Sequence, residues 1–173
     1  DRTAKPEDCR WASWSQAGGD AALMALTILH PHAIKPHPFV TVVAFDRQEV
    51  ELGLVAGTQE PASEAVPSER RSGLVPRIDQ PRLLAVFNGG FMARHGSFGM
   101  MVDGDVYVPP QDDACVVGIE ADGAVRIGSW SRLGSTLGDA HAWRQTPPCL
   151  VEGGELNPRL AEEHRTRRWG AAQ

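Results

Sequence analysis

Asn88, Gly89, Gly90 and His95 are the residues whose types and spacing first point to chemistry in this chain. They lie in the stretch Leu83 to Pro110, LLAVFNGGFMARHGSFGMMVDGDVYVPP. Glycine has no Cβ to hold a ligand off, so Gly89 and Gly90 bring bare backbone to a surface. The Asn88 amide both donates and accepts hydrogen bonds at that point. His95 follows on the next loop with an imidazole that changes charge near neutral pH. These groups, gathered at one chain reversal, read as the floor of a ligand site.

Such a floor needs elements to hold it. The apolar run Leu83 to Phe87 reads as a buried strand that stops at Asn88. Downstream, Met100-Met101-Val102 and Val106-Tyr107-Val108 flank Asp103-Gly104, a dipeptide favoured in tight hairpin turns, and Pro109-Pro110 closes the unit. The pattern repeats in Cys115 to Glu120, Asp122-Gly123 and Ala124 to Ile127. Upstream, Phe39 to Phe45 and Val50 to Ala56 read as two strands joined across Asp46 to Glu49. Ala21 to Leu29 fits either a short helix or a strand. Between His30 and Pro38 three prolines exclude regular structure, and His30, His32 and His37 lack the fixed face of a zinc site, which leaves a solvent loop. Ser129 to Asp139 reads as a Gly/Ser loop. Cys149-Leu150-Val151 is an apolar step that breaks on Glu152-Gly153-Gly154, and Arg159 to Arg168 has helix-forming composition after Asn157-Pro158. The order of elements predicts an α+β domain on a mostly antiparallel twisted sheet with a few short helices. The expected division is an N-terminal arm and loop, 1–38, followed by the N-terminal part of a larger domain, 39–173.

Bulk properties narrow the function. The net charge of −5 gives no electrostatic support for nucleic-acid binding, and no apolar run is long enough to cross a bilayer. The 18 glycines and 13 prolines fit many turns between short strands. The three cysteines match no zinc or CxxC spacing. Cys115, inside an apolar run, reads as a buried packing residue, while Cys9 and Cys149 could pair in an exported protein. The chain begins at Asp1 without an initiating Met, as a processed mature chain or a trimmed piece would.

Three motifs in order carry a resemblance. FNGGF at Phe87 to Phe91, GMMVDG at Gly99 to Gly104 and RQTPPCLVEGGELNP at Arg144 to Pro158 resemble the phosphodiester glycosidase family, over about residues 39 to 170. The resemblance implies a hydrolase that cleaves a sugar-phosphodiester bond in an exported glycan or polysaccharide, in a secreted or periplasmic setting; no cofactor and no metal ligand is assigned from the sequence. It implies a phosphorylated glycan or small sugar phosphodiester as substrate. Members of the family continue through an arginine-led strand, a helix and a closing acidic or Asp-Gly-rich strand that helps form the site. The resemblance therefore also implies a second polypeptide, or a cleaved C-terminal half, that completes the domain.

Phosphate is a good leaving group, so the reaction needs little acid help. It needs donors for the phosphate, a carboxylate for the oxocarbenium-like state or the attacking water, and a pocket for the sugar. Arg144 and His95, with the N–H groups of Gly89 and Gly90, are the phosphate candidates, because an arginine fork and glycine-rich backbone both suit anionic oxygens. Asn88 would orient a hydroxyl or the phosphate, and Phe91 and Gln145 complete the substrate-binding set. Glu152 is the leading carboxylate and Asp103 the next, with His95 beside them in the catalytic set. Each has a plainer role open to it. Asp103 suits a hairpin, Glu152 a loop cap, Arg144 a surface ion pair and His95 an exposed loop. Arg165, Arg167 and Arg168 with Trp169 suit a solvated helix face. A non-catalytic carbohydrate or anion-binding module, or a subunit active only with a partner chain, remains the alternative, since fold does not dictate reaction.

Overall fold

In the computed structural model, residues 5–15, 22–32, 34–35 and 37–158 are described. The chain divides into two compact units, Asp1–Glu51 and Leu52–Gln173. The expected helix at Arg159 to Arg168 and the basic cluster with Trp169 lie outside the described residues.

The first unit is an antiparallel sheet of strands β1 (Ala12–Ser15), β2 (Ala22–Leu29) and β3 (Val40–Phe45), in that order. The stretch left open between helix and strand is therefore a strand. It pairs with β3 from Met24↔Phe45 to Leu29↔Val40, so it bonds a partner rich in β-branched residues. That pairing overturns the expected hairpin of Phe39 to Phe45 with Val50 to Ala56. The turn forms, with the Val50 N–H donating to the Asp46 carbonyl at 2.8 Å, but residues 50–56 join no strand. With β2 as its partner β3 has no need of this stretch, and Glu51 and Gly53 are poor strand formers. The proline-rich loop also differs from expectation at one end. His30 is buried, with Nδ1 2.6 Å from Asp8 Oδ1 and its own N–H donating to Asp8 Oδ2. The His30 hydrogen bond holds the Asp8 carboxyl below its usual pKa.

The second unit is built on a five-stranded antiparallel sheet of order β5-β4-β8-β6-β7. Its strands are β4 (Met100–Val102), β5 (Asp105–Val108), β6 (Cys115–Glu120), β7 (Val125–Ser129) and β8 (Ala140–Thr146). Both Asp-Gly hairpins appear where the sequence puts them. In the first, Asp103 at φ 52° and Gly104 at φ 83° give the two positive torsions that a type I′ turn demands. A two-residue hairpin, β9 (Val151–Glu152) with β10 (Glu155–Leu156), follows.

Side chains alternate across β8, so Trp143 and Arg144 point to opposite faces. On the Trp143 side lies the core of Met101, Val116, Leu137, Ala140 and Trp143. Ser129 to Asp139, expected as a loop, instead forms a one-turn helix α1 (Trp130–Leu133) and a 3-10 turn at Gly134–Thr136. Trp130 and Leu133 pack against that core, with the Trp130 ring 4.8 Å from that of Trp143. Three apolar anchors within eight residues give the segment a reason to fold that its glycines and serines conceal. The architecture is α+β: mostly antiparallel sheet with few short helices.

Two further expectations are overturned. Leu83 to Phe87 is neither a strand nor buried: Val86 is 71% and Phe87 64% exposed. Apolar composition marks a stretch that favours burial, but burial needs a covering surface, and none of the described strands pairs with it. The cysteines pair differently as well. Cys115 bonds Cys149, whereas Cys9 is exposed and free. Cys115 sits at the end of β6 opposite Thr146 of β8, and the chain turns back after Pro148 to bring Cys149 within bonding distance.

Candidate functional site

The candidate site forms where the loop 88–95 crosses the Arg144 face of the sheet. Arg144 lies in β8 between Met100 of β4 and Val117 of β6, and is only 7% exposed. Its guanidinium donates to the carbonyls of Phe91, Phe98 and Gly99. Burial pulls the Arg144 pKa down, and the negative charge of Glu60 opposes that shift. Gly90 rests directly on this guanidinium. A Cβ added there would strike Nε outright and come within 2.9 Å of the terminal nitrogen and 3.0 Å of Cζ. Arg144 is thus the peg on which the Asn-Gly-Gly-Phe loop hangs, a role distinct from an open phosphate fork.

The rest of the loop folds on itself. The Gly90 N–H donates to Asn88 Oδ1 at 3.1 Å, an Asx turn that leaves the Asn88 amide nitrogen as the donor end. Phe91 meets His95 edge-on, ring centres 6.4 Å apart, and Phe98 at 5.9 Å. His95 ends a 3-10 turn at Ala93–His95, and its Nε2 accepts from Arg94 Nε at 3.1 Å, which puts the proton of the neutral ring on Nδ1. Asn88, Gly89, Gly90, Phe91 and His95 therefore do belong to one small surface, with Arg144 beneath.

Gln145 is placed otherwise. It is completely buried, with Oε1 accepting from the N–H groups of Gly99 and Gln111 and Nε2 donating to the Gln111 carbonyl. It ties two loops to β8 from the core face, and touches no open surface.

The two carboxylates singled out in the sequence are not in this group. Asp103 is on the β4–β5 turn, its carboxylate 2.8 Å from His141 Nδ1. Glu152 Oε1 accepts from the N–H and hydroxyl of Ser129 at 2.9 and 2.8 Å, with Arg132 at 3.4 Å. Those bonds, Ser129 first, hold the Glu152 carboxyl below its ordinary pKa. Ser129 is in β7 and Arg144 in β8, with β6 between them, so they are separated by two strand spacings of ~4.8 Å each.

Two residues passed over in the sequence do reach the loop. Arg94 is exposed on it and is a cation at the surface, where Arg144 is buried. Glu60 is the other: its Oε2 accepts the Ala93 N–H at 2.9 Å and the Ala62 N–H at 3.2 Å, from 33 residues upstream of Ala93. Nothing in the spacing of a lone glutamate in a polar loop announces that contact. Beside Glu60, the segment 57–71 curls around the buried Arg71, whose guanidinium donates to the carbonyls of Gly57, Pro61 and Val66. It encloses a shallow depression of about 570 Å³ lined by Thr58, Gln59, Ser63, Ser68 and Glu69, among others, and by none of the residues singled out in the sequence. Among the described residues no group of three or more His, Cys, Asp or Glu is placed to hold a metal ion, and no helix is long and apolar enough to cross a membrane.

Comparison with protein-family models, with curated proteins and with solved structures finds no match to this chain.

Proposed function

We propose that the protein is a hydrolase of sugar-phosphodiester bonds, acting on a phosphorylated glycan or small glycosyl phosphate outside the cytoplasm. The observation that carries the reading is the loop 88–95 itself. It holds an oriented amide at Asn88, an imidazole at His95 and a surface guanidinium at Arg94 over a second, buried guanidinium. That is a concentration of donors and positive charge suited to an anionic oxygen. The ordered motifs that resemble phosphodiester glycosidases run through the same loop and strand. The Cys115–Cys149 disulfide supports an oxidising compartment.

A second reading, a binding module or a subunit that needs a partner chain, is favoured by specific observations. Glu152 and Asp103 are engaged away from the loop. The unpaired apolar stretch Leu83 to Phe87 runs into the site and is open to another polypeptide that would complete the sheet. One experiment separates the readings. Hydrolysis of a 4-nitrophenyl or glycosyl phosphodiester by the purified chain is expected under the first. Calorimetric binding of a hexose 1-phosphate without turnover supports the second. Neither turnover nor binding sinks both.

A further inference from the structure

Resting on the anion-site reading above, we infer that Glu60 is the carboxylate of this site. Its position is fixed by two backbone donors on one oxygen: Oε2 accepts from Ala93, two residues before His95, and from Ala62. Among the described hydrogen bonds and ion pairs Oε1 makes none, and Glu60 is exposed, so one oxygen is anchored by the backbone while the residue remains open to solvent. The same carboxylate acts electrostatically on Arg144, the peg beneath Gly90 and Phe91. Glu60 is therefore the acidic group that the fold brings to the donors of loop 88–95, whereas Glu152 and Asp103 are tied to Ser129 and His141.

The arrangement also separates two roles that one residue usually cannot combine. The Oε2 bonds hold segment 57–62 against the 3-10 turn at Ala93–His95, while Oε1 is available to a ligand. For a glycosyl phosphate, Oε1 takes a proton from water as the water oxygen bonds to C1. The bond from C1 to the phosphate oxygen breaks, and its electron pair leaves with the phosphomonoester, which is stable as the dianion and requires no proton. The depression lined by Thr58, Gln59, Ser63 and Ser68, with Glu69 and Arg71, begins at the residue before Glu60 and offers a polar surface for the sugar.

Glu60→Gln tests the assignment because a glutamine carbonyl still accepts from Ala93 and Ala62 while the charge and the base are gone. Its unfolding midpoint is expected to fall only slightly, because both backbone bonds persist in a weaker, uncharged form and Arg144 loses a favourable charge. Inorganic phosphate, measured by calorimetry, is expected to bind about fivefold tighter to Glu60→Gln, because a nearby negative charge has been removed. Turnover of a glycosyl phosphodiester is expected to fall about a hundredfold in kcat, with KM lowered in line with the tighter phosphate binding. Formate is expected to restore part of the rate to Glu60→Ala. Equal phosphate affinity, or equal turnover, in parent and Glu60→Gln overturns the role of Glu60 and leaves the loop reading standing. Absence of phosphate binding in both forms overturns the role of Glu60 and the anion-site reading together.

Discussion

Gly90→Ala is the substitution on which the geometry of this site makes its sharpest demand. The added methyl would strike Arg144 Nε and lie 2.9 Å from the terminal nitrogen, closer than real Cβ contacts allow. Arg144 has little room to yield, because it is 7% exposed and donates to the carbonyls of Phe91, Phe98 and Gly99. Either the loop lifts or the guanidinium turns. Forcing a methyl into a packed site costs about 1–3 kcal/mol, and losing one hydrogen bond from a charged donor costs about 1.5–3 kcal/mol. A destabilisation of about 2–3 kcal/mol follows, which lowers Tm by roughly 8–12 °C for a unit of this size. Gly89→Ala is the internal control, since its methyl would meet only the end of the Leu54 side chain at 3.3 Å, and its cost should stay under about 1 kcal/mol. Urea unfolding followed by near-UV circular dichroism reads both, because Trp130 and Trp143 report on the core of this sheet. If Gly90→Ala and Gly89→Ala unfold at the same urea concentration, the seating of the loop on Arg144 is wrong.

Other perturbations probe the frame around the loop. Gln145→Leu strips the partner from the buried Gly99 N–H and from the half-buried N–H and carbonyl of Gln111, and should cost about 3 kcal/mol in urea unfolding; a loss below 1 kcal/mol would mean that Gln145 is not enclosed as described. Replacing Cys115 and Cys149 together by serine opens a loop of separation 34, and should lower stability by about 4 kcal/mol on chain entropy. In the unreduced parent only Cys9 should react with a thiol reagent, and modification of Cys149 in a peptide map would contradict the pairing. Glu152 has a folded pKa depressed below 4.5, so its stabilisation is complete above that value and disappears as pH falls through the folded pKa. Glu152→Gln should therefore be less stable than the parent at pH 7, and the gap should close with acid; a gap that is constant down to pH 3 would refute the Ser129 bonds.

Legibility followed the range of the interaction. The Asp103-Gly104 and Asp122-Gly123 hairpins were readable because the turn residues and the flanking strands are adjacent in the chain. Leu83 to Phe87 misled because five apolar residues state a preference and not an outcome. β3 misled because two neighbouring strand-like runs compete for it, and the winner, β2, precedes it.

Arg144 and Glu60 show the deeper limit. The residue types and local turns, and with them the mostly antiparallel α+β class, are properties of short stretches, and the amino-acid order was sufficient for them. Whether an arginine faces solvent or hangs a loop on a buried guanidinium depends on which carbonyls arrive from 45 or more residues away. Whether Glu60 or Glu152 reaches that loop depends on how strands β8, β6 and β7 are laid side by side. Contacts of that separation form only when the sheet closes, because the entropy of bringing distant segments together is recovered by burial of the whole face and by no single residue.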